Sequence, residues 1–149
     1  MSDFRYVVDI KVSPVRVWAV MLDVERWPEW TASVTRLVAL DGPGIGVGKR
    51  FEIKQPKLPT LVWEVTDVAP GVSWTWAQRS SGGSTLAHHT LTPIADGRTL
   101  VRQAVDQQGL VGALVGRLML RTTRRYLEME AQGLKGRSEQ LRHPHGPPS

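Results

Sequence analysis

The chain of 149 residues contains no cysteine, and it has only two phenylalanines and two tyrosines. The absence of cysteine excludes disulfides, thiolate metal sites, iron–sulfur clusters and cysteine nucleophiles, and it favours a reducing compartment. No stretch approaches the ~20 apolar residues that a membrane-spanning helix needs. Residues Met1 to Tyr6 lack the basic region and apolar run of a secretory signal. We therefore predict a soluble, cytoplasmic protein without stable membrane insertion.

The bulk composition is ordinary for a globular protein, with 41% hydrophobic and 22% charged residues. The length suits one domain that buries roughly 70% of the surface of its unfolded chain. We predict a single ligand-binding domain over residues 1–137. The following residues, 138–149, are rich in proline and glycine towards their end, and we expect them to form a disordered tail.

The net charge of +5 is distributed unevenly along the chain. Between Arg117 and Arg142 there are seven basic residues and three acidic ones. Four arginines at helical spacing, Arg117, Arg121, Arg124 and Arg125, could form a phosphate-binding stripe. The alternative is the solvated face of an amphipathic helix, which the lack of interleaved aromatic residues favours. We therefore predict no specific nucleic-acid partner.

The first part of the chain predicts one strand followed by a helix. Residues 6–12 are rich in β-formers, and Ser13-Pro14 is typical of a helix start, with Ser as the N-cap and Pro at the first helical position. Pro28, between Trp27 and Trp30, predicts a turn or short helix in which the two indoles are packed.

From Val34 onwards, short strands alternate with turn residues, which is typical of an antiparallel meander. We predict strands near 34–40, 49–55, 61–69, 72–79, 84–92 and 98–107. After Gly109 the apolar period changes from 2 to about 3.6. This change predicts one long helix over 110–137, which at 1.5 Å per residue reaches nearly 40 Å and can cross the concave face of a sheet.

Several short motifs stand at defined places in this order of elements. They are Ser13-Pro14-Val15-Arg16-Val17-Trp18, the segment Asp23 to Trp30, Gly46-Val47-Gly48, Leu91-Thr92-Pro93 before Asp96-Gly97, and Gly116 to Gly133. The pattern spans residues 4–137 and resembles the polyketide cyclase/dehydratase and lipid-transport (SRPBCC) superfamily, which shares the helix-grip fold of START domains and the birch-pollen allergen. The resemblance implies an α+β fold in which a curved antiparallel sheet of about seven strands wraps around a long C-terminal helix. Members include lipid carriers, cyclases and coenzyme Q-binding proteins, so the resemblance does not name the ligand.

Two adjacent histidines, His88 and His89, lie on one predicted strand, so their side chains point to opposite faces. Leu91 ends the same strand and should face the core, which places His89 inside and His88 outside. An interior His89 could act as a general acid or base or hydrogen-bond a ligand carbonyl. The alternative is a structural histidine with satisfied hydrogen bonds. Because the pair cannot readily chelate one ion, we predict no metal.

The six tryptophans provide more indole area than a small core usually takes up. Trp63 lies on one predicted strand, and Trp74 and Trp76 share a face of the next. These rings could form the flat walls of a pocket, or they could fill the core outright. On the last strand, Gln103 faces inward in one register and Arg102 in the other.

The glycine-rich run 42–48 precedes a strand and not a helix, so it lacks the context of a dinucleotide site, and we predict no cofactor. We predict a pocket that binds a small, largely apolar ligand of lipid, isoprenoid or aromatic polyketide type. The predicted lining residues are Trp63, Trp74, Trp76, His89, Gln103, Leu118, Thr122 and Tyr126.

Two other functions stay open at this point. The first is a cyclase or dehydratase in which His89 moves a proton while Gln103 and an indole N–H orient a carbonyl, although the sequence shows no linked acid/base pair. The second is an interaction protein that acts through the arginine-rich helix on anionic membranes or nucleic acid. The sequence does not distinguish a monomer from a homodimer.

Overall fold

The computed structural model describes residues 4–140, apart from the side chains of 112, 113, 115 and 116. The strands are β1 (Phe4–Ile10), β2 (Arg36–Ala39), β3 (Arg50–Lys54), β4 (Leu61–Ala69), β5 (Ser73–Ser80), β6 (Gly83–Ile94) and β7 (Arg98–Gln108). The helices are α1 (Pro14–Leu22), α2 (Leu110–Leu118) and α3 (Leu120–Gln140), with short 3-10 segments at Val24–Glu29 and Ala95–Gly97. Of the predicted tail, residues 141–149 lie outside the described residues.

All seven strands form one sheet in the order β1-β7-β6-β5-β4-β3-β2. Every neighbouring pair is antiparallel. Strands β2 to β7 pair in sequence order because each connection between them is short. The first strand pairs with the last one, so the segments before and after the meander meet at one edge of the sheet. The predicted α+β helix-grip fold is confirmed.

The start of α1 follows the predicted pattern in part. Ser13 has the extended conformation of an N-cap, and Pro14 takes the first helical position. The backbone carbonyl of Ser13 accepts the N–H groups of Arg16 and Val17, both at 3.1 Å. Its hydroxyl makes no capping hydrogen bond, so the prediction that this side chain caps the helix is wrong.

The predicted single helix over 110–137 is two helices that meet at Met119, and α3 ends three residues later than predicted. The two helices pack against different parts of the sheet: α2 contacts β6 and β7, whereas α3 contacts mainly β1 and α1. The backbone N–H of Val111 also donates to the carbonyl of Gly82, at 3.1 Å. Since both helices have the same apolar period, the sequence pattern does not reveal the break.

The C-terminal half of α3 is fixed to the sheet, because its buried residues are Ala131, Leu134 and Ser138. Near its end, the carboxylate of Glu139 accepts the backbone N–H of Lys11 at 2.9 Å and the ammonium of Lys135 at 2.6 Å. Burial raises the pKa of Glu139, but these two hydrogen bonds together outweigh it and lower the pKa below its ordinary value of 4.5. The first half of α3, residues 120–130, contains no buried residue.

None of the helices in the described part of the chain is both long and apolar enough to cross a membrane.

Candidate functional site: an indole-walled pocket

A cavity of about 190 Å³ lies between the concave face of the sheet and the first half of α3. Its sheet side includes Trp76, His89 and Gln103, all buried. The lining residues of the β3–β4 loop, of the start of β4 and of α3 stay partly exposed; they are Gln55, Leu58, Leu61, Thr122, Thr123, Tyr126, Leu127 and Glu130. The cavity therefore opens between that loop and α3, and it also has partly exposed lining at Thr85 and Gln107 on β6 and β7.

Indole rings form one wall of this cavity. Trp76 is in the middle, with its ring centroid 5.7 Å from Trp63, 4.8 Å from Trp74 and 5.5 Å from Trp27. Trp63, Trp76 and Trp27 line the cavity. The N–H of Trp27 is satisfied by the carbonyl of Met21 at 2.9 Å, so this ring contributes apolar surface. A wall of this kind suits a flat ring or an acyl chain.

A row of three buried side chains crosses the concave face beside this wall. Trp74 on β5 pairs with His89 on β6, and His89 pairs with Gln103 on β7. Paired residues of antiparallel strands share a face of the sheet, so the three side chains come together. The imidazole of His89 stacks on the indole of Trp74 with ring centroids 4.2 Å apart and planes 10° from parallel.

The carboxylate of Glu130 on α3 completes this polar row. Its Oε2 lies 3.4 Å from Nε2 of His89, and it also accepts a hydrogen bond from the amide nitrogen of Gln103. The side chains of His89 and Glu130 are only 4% and 15% exposed, so the contact is shielded from bulk water. A carboxylate held against an imidazole forms a pair that can retain or pass one proton.

Three buried polar atoms of the row have no hydrogen-bond partner among the described residues: Nε1 of Trp74, Nδ1 of His89 and Oε1 of Gln103. Buried polar atoms are nearly always paired in folded proteins. These three atoms can therefore form hydrogen bonds to a ligand without losing a partner within the described residues.

Tyr126 ties α3 to the rim of the cavity. Its hydroxyl donates a hydrogen bond to the backbone carbonyl of Pro56 in the β3–β4 loop. Burial raises the pKa of the Tyr126 hydroxyl above its ordinary value of 10.0. Tyr126 therefore stays protonated near neutral pH and keeps its role as a donor at the rim.

Residues 1–139 match the family model described as polyketide cyclase / dehydrase and lipid transport. The chain belongs to this family. No match to a curated protein was found.

Solved structures with the same fold are numerous. The crystal structure of hypothetical protein jhp0584 from Helicobacter pylori aligns with a TM-score of 0.76 at 12% identity, over 90% of this chain and 86% of that one. The crystal structure of TTHA0849 from Thermus thermophilus aligns with a TM-score of 0.74 at 15% identity, over 91% of this chain and 95% of that one. The crystal structure of the di-domain ARO/CYC BexL from the BE-7585A biosynthetic pathway aligns with a TM-score of 0.71 at 13% identity. The alignment covers 97% of this chain and 48% of the BexL chain. At such identities the likeness shows the fold alone.

Most of the residues that we predicted for the pocket of this family member line the cavity: Trp63, Trp76, His89, Gln103, Thr122 and Tyr126. Trp74 lies behind the wall, stacked on His89. Leu118 is 75% exposed and does not line the cavity, because α2 ends there and Met119 takes its place. Gln103, at 1% exposure, faces inward, while Arg102 is exposed. The ligand-binding role of these residues stays a prediction.

Glu130 was not predicted to lie in the pocket. In the sequence it stands out only as one of the three acidic residues between Arg117 and Arg142. A signal for it was present, since Thr122, Tyr126 and Glu130 recur every four residues and therefore share one helix face. Glu130 lies against His89 and so forms a carboxylate–imidazole contact that the sequence did not reveal.

His88 projects to the other face of β6, as its strand position predicts. Its Nδ1 lies 3.0 Å from the hydroxyl of Thr75, and its Nε2 lies 2.9 Å from the carboxylate of Asp106. These contacts join β5, β6 and β7 on the face opposite the polar row. His88 is thus a structural counterpart to His89 on the same strand.

Proposed function

We propose that the protein binds a small, largely apolar molecule, of lipid, isoprenoid or aromatic polyketide type, that carries one hydrogen-bonding group. The observation that carries this proposal is the juxtaposition of an indole wall with the polar row of His89, Gln103 and Glu130 in one cavity. The apolar wall would supply most of the affinity, and the polar row would orient the ligand.

The size of the cavity limits the enclosed part of the ligand. An apolar cavity of about 150 Å³ holds a benzene molecule, so about 190 Å³ suits one ring with small substituents or a short acyl segment. A larger ligand would extend through the opening between the β3–β4 loop and α3. Native mass spectrometry of protein purified from its own host would identify a molecule that co-purifies.

A defined pair of probes tests the two parts of the proposal. 2-Naphthol and naphthalene share a ring system, but only the first carries a hydroxyl. Because a hydrogen bond to a charged group contributes about 1.5–3 kcal/mol, we expect 2-naphthol to bind roughly 10- to 100-fold more tightly. Titration followed by tryptophan fluorescence measures both affinities, since Trp63 and Trp76 line the cavity.

Two variants of α3 locate the binding site. Thr122→Phe places a ring in the cavity and should abolish binding of both probes, whereas Arg124→Phe adds the same ring at an exposed position of the same helix and should leave binding unchanged. If Thr122→Phe and Arg124→Phe bind the probes equally well, the probes bind outside the cavity. If the unmodified protein binds 2-naphthol and naphthalene with equal affinity, the polar row does not contact the ligand.

A second candidate function is favoured by the contact between His89 and Glu130. In a cyclase or dehydratase, this pair would move a proton between a carbon and the oxygen of a carbonyl or departing hydroxyl group, while the amide of Gln103 holds Glu130 in place. Incubating the protein with the molecule that co-purifies, and searching for a product that differs by a proton shift or loss of water, tests this function. Recovery of the molecule unchanged would favour a carrier.

A further inference from the structure

The surface of α2 presents large apolar side chains to solvent. Leu110, Leu114 and Leu118 recur every four residues, so they share one face of the helix. They are 91%, 59% and 75% exposed, and the neighbouring Val111 is 48% exposed. A continuous exposed apolar stripe of this kind marks an interaction site more often than an isolated surface leucine does. We call this stripe, Leu110, Val111, Leu114 and Leu118, the leucine stripe.

Arginines lie in the last turn of α2 and in the first half of α3. Arg117, Arg121, Arg124 and Arg125 are all exposed. Residues 107–127 contain no acidic side chain. Within the described part of the chain, one of the four guanidinium groups is paired with a carboxylate, that of Arg125 with Glu128 at 3.9 Å. An exposed pair at this distance contributes little, so the local field is strongly positive.

We propose that the leucine stripe and these four arginines form a docking surface for an anionic lipid membrane. Apolar side chains that enter the headgroup region, beside cations that meet the lipid phosphates, are the two features of a helix that lies in the membrane interface. A second copy of the chain fits less well, because residues 107–127 carry no acidic side chain that could pair with the arginines of the other copy. A nucleic acid would use the arginines and leave the leucines in water.

The position of this surface relates it to the pocket. Met119, which joins α2 to α3, lines the cavity, as do Thr122 and Thr123 in the first turn of α3. Docking through α2 would therefore hold the start of α3, which lines the cavity, close to the lipid surface. The docking itself does not depend on the proposed ligand, so each proposal can fail without the other.

Co-sedimentation with lipid vesicles tests the docking surface. We expect the unmodified protein to bind phosphatidylcholine vesicles in which about a third of the lipid is phosphatidylglycerol, and to bind pure phosphatidylcholine at least tenfold more weakly. Binding to the anionic vesicles should weaken as salt is raised, because salt screens exposed charges.

Two double variants separate the contributions. Leu114→Gln with Leu118→Gln should weaken binding to the anionic vesicles by roughly tenfold or more. Arg121→Gln with Arg124→Gln should weaken it by roughly 25-fold, about fivefold for each arginine. The matched controls are Val15→Gln, at a valine that is 81% exposed on α1, and Arg5→Gln with Arg102→Gln, at exposed arginines of the sheet. Both controls should bind like the unmodified protein, and melting curves check that every variant is folded.

Three results would overturn the proposal. One is the absence of binding to the anionic vesicles. The second is binding that the arginine variant loses and the leucine variant keeps, which would indicate a purely electrostatic surface such as one for nucleic acid. The third is a dimer in buffer that the leucine variant converts to a monomer, which would assign the stripe to a second copy of the chain.

Discussion

At the scale of single residues, His89 and His88 provide a matched pair on opposite faces of one strand. His89→Gln should lower the affinity for 2-naphthol by up to roughly 100-fold, since the substitution removes the imidazole from the polar row. His88→Gln should change the affinity far less, because His88 borders the cavity but its ring is held by Thr75 and Asp106 on the other face. Fluorescence titration measures both affinities, and thermal denaturation checks the folding of each variant.

The same substitution distinguishes a carrier from an enzyme. We expect the loss at His89→Gln to appear in binding. If the rate with the natural substrate instead falls by roughly 10²–10⁴ while binding is kept, the histidine acts as an acid or base and the carrier proposal is wrong. An unchanged affinity together with an unchanged rate would remove His89 from the site.

The face of His89 could be predicted from sequence, but the face of Gln103 and the position of Leu118 could not. Strand alternation anchored at Leu91 puts His89 inside, where it is 3% exposed. The choice between Gln103 and Arg102 stayed open, because alternation alone does not say which face is buried. Leu118 was predicted to line the pocket because its spacing to Thr122 is helical, and the end of α2 at that residue removes the basis for this prediction.

At the scale of elements, two glycines in α3 provide a test of how closely the helix packs on the rest of the fold. A Cβ on Gly133 would lie within 3.0 Å of the backbone of Trp30, whereas a Cβ on Gly136 would have no heavy atom within 4 Å. Gly133→Ala should therefore destabilise the protein by about 1–3 kcal/mol, because the helix must shift away from Trp30. Gly136→Ala should stabilise it by about 0.5–1 kcal/mol, since alanine favours the helix.

Chemical denaturation of the two variants measures these changes in the free energy of unfolding. Stabilisation by Gly133→Ala of the same size as that by Gly136→Ala would contradict the close approach of α3 to Trp30.

Among the elements, the strands were predicted more accurately than the final helix. Strand ends are marked in the sequence by turn residues such as Pro70-Gly71 and Ser81-Gly82, whose conformational preferences are local. The break at Met119 has no such mark, because it depends on α2 meeting the β6–β7 side of the sheet while α3 meets β1 and α1. Local propensity cannot report a contact between segments far apart in the chain.

At the scale of the whole molecule, the order of elements and the short motifs were sufficient to predict the fold. The short turns required neighbouring strands to pair in sequence order, and β1 closes the order by pairing with β7. The position of the cavity could not be predicted in the same way. It arises because α3 is packed at its C-terminal half, through Ala131, Leu134 and Ser138, while its first half covers the sheet without burying a residue in the core.

This uneven packing of α3 predicts uneven local stability, since segments with few buried contacts open more easily than the protein unfolds. We expect the backbone amides of residues 120–126 to exchange with solvent faster than those of residues 131–140, by on the order of tenfold or more. Saturation with 2-naphthol should slow the exchange of residues 120–126, because Thr122, Thr123 and Tyr126 line the cavity. It should leave the exchange of residues 131–140 nearly unchanged.

Hydrogen–deuterium exchange followed by mass spectrometry measures both segments in one experiment. The control is the Thr122→Phe variant, in which the added ligand should have no effect. Equal exchange rates along the whole of α3 would mean that the helix opens as one unit. The first half of α3 would then not be held more loosely than the second, and this explanation of the cavity would be wrong.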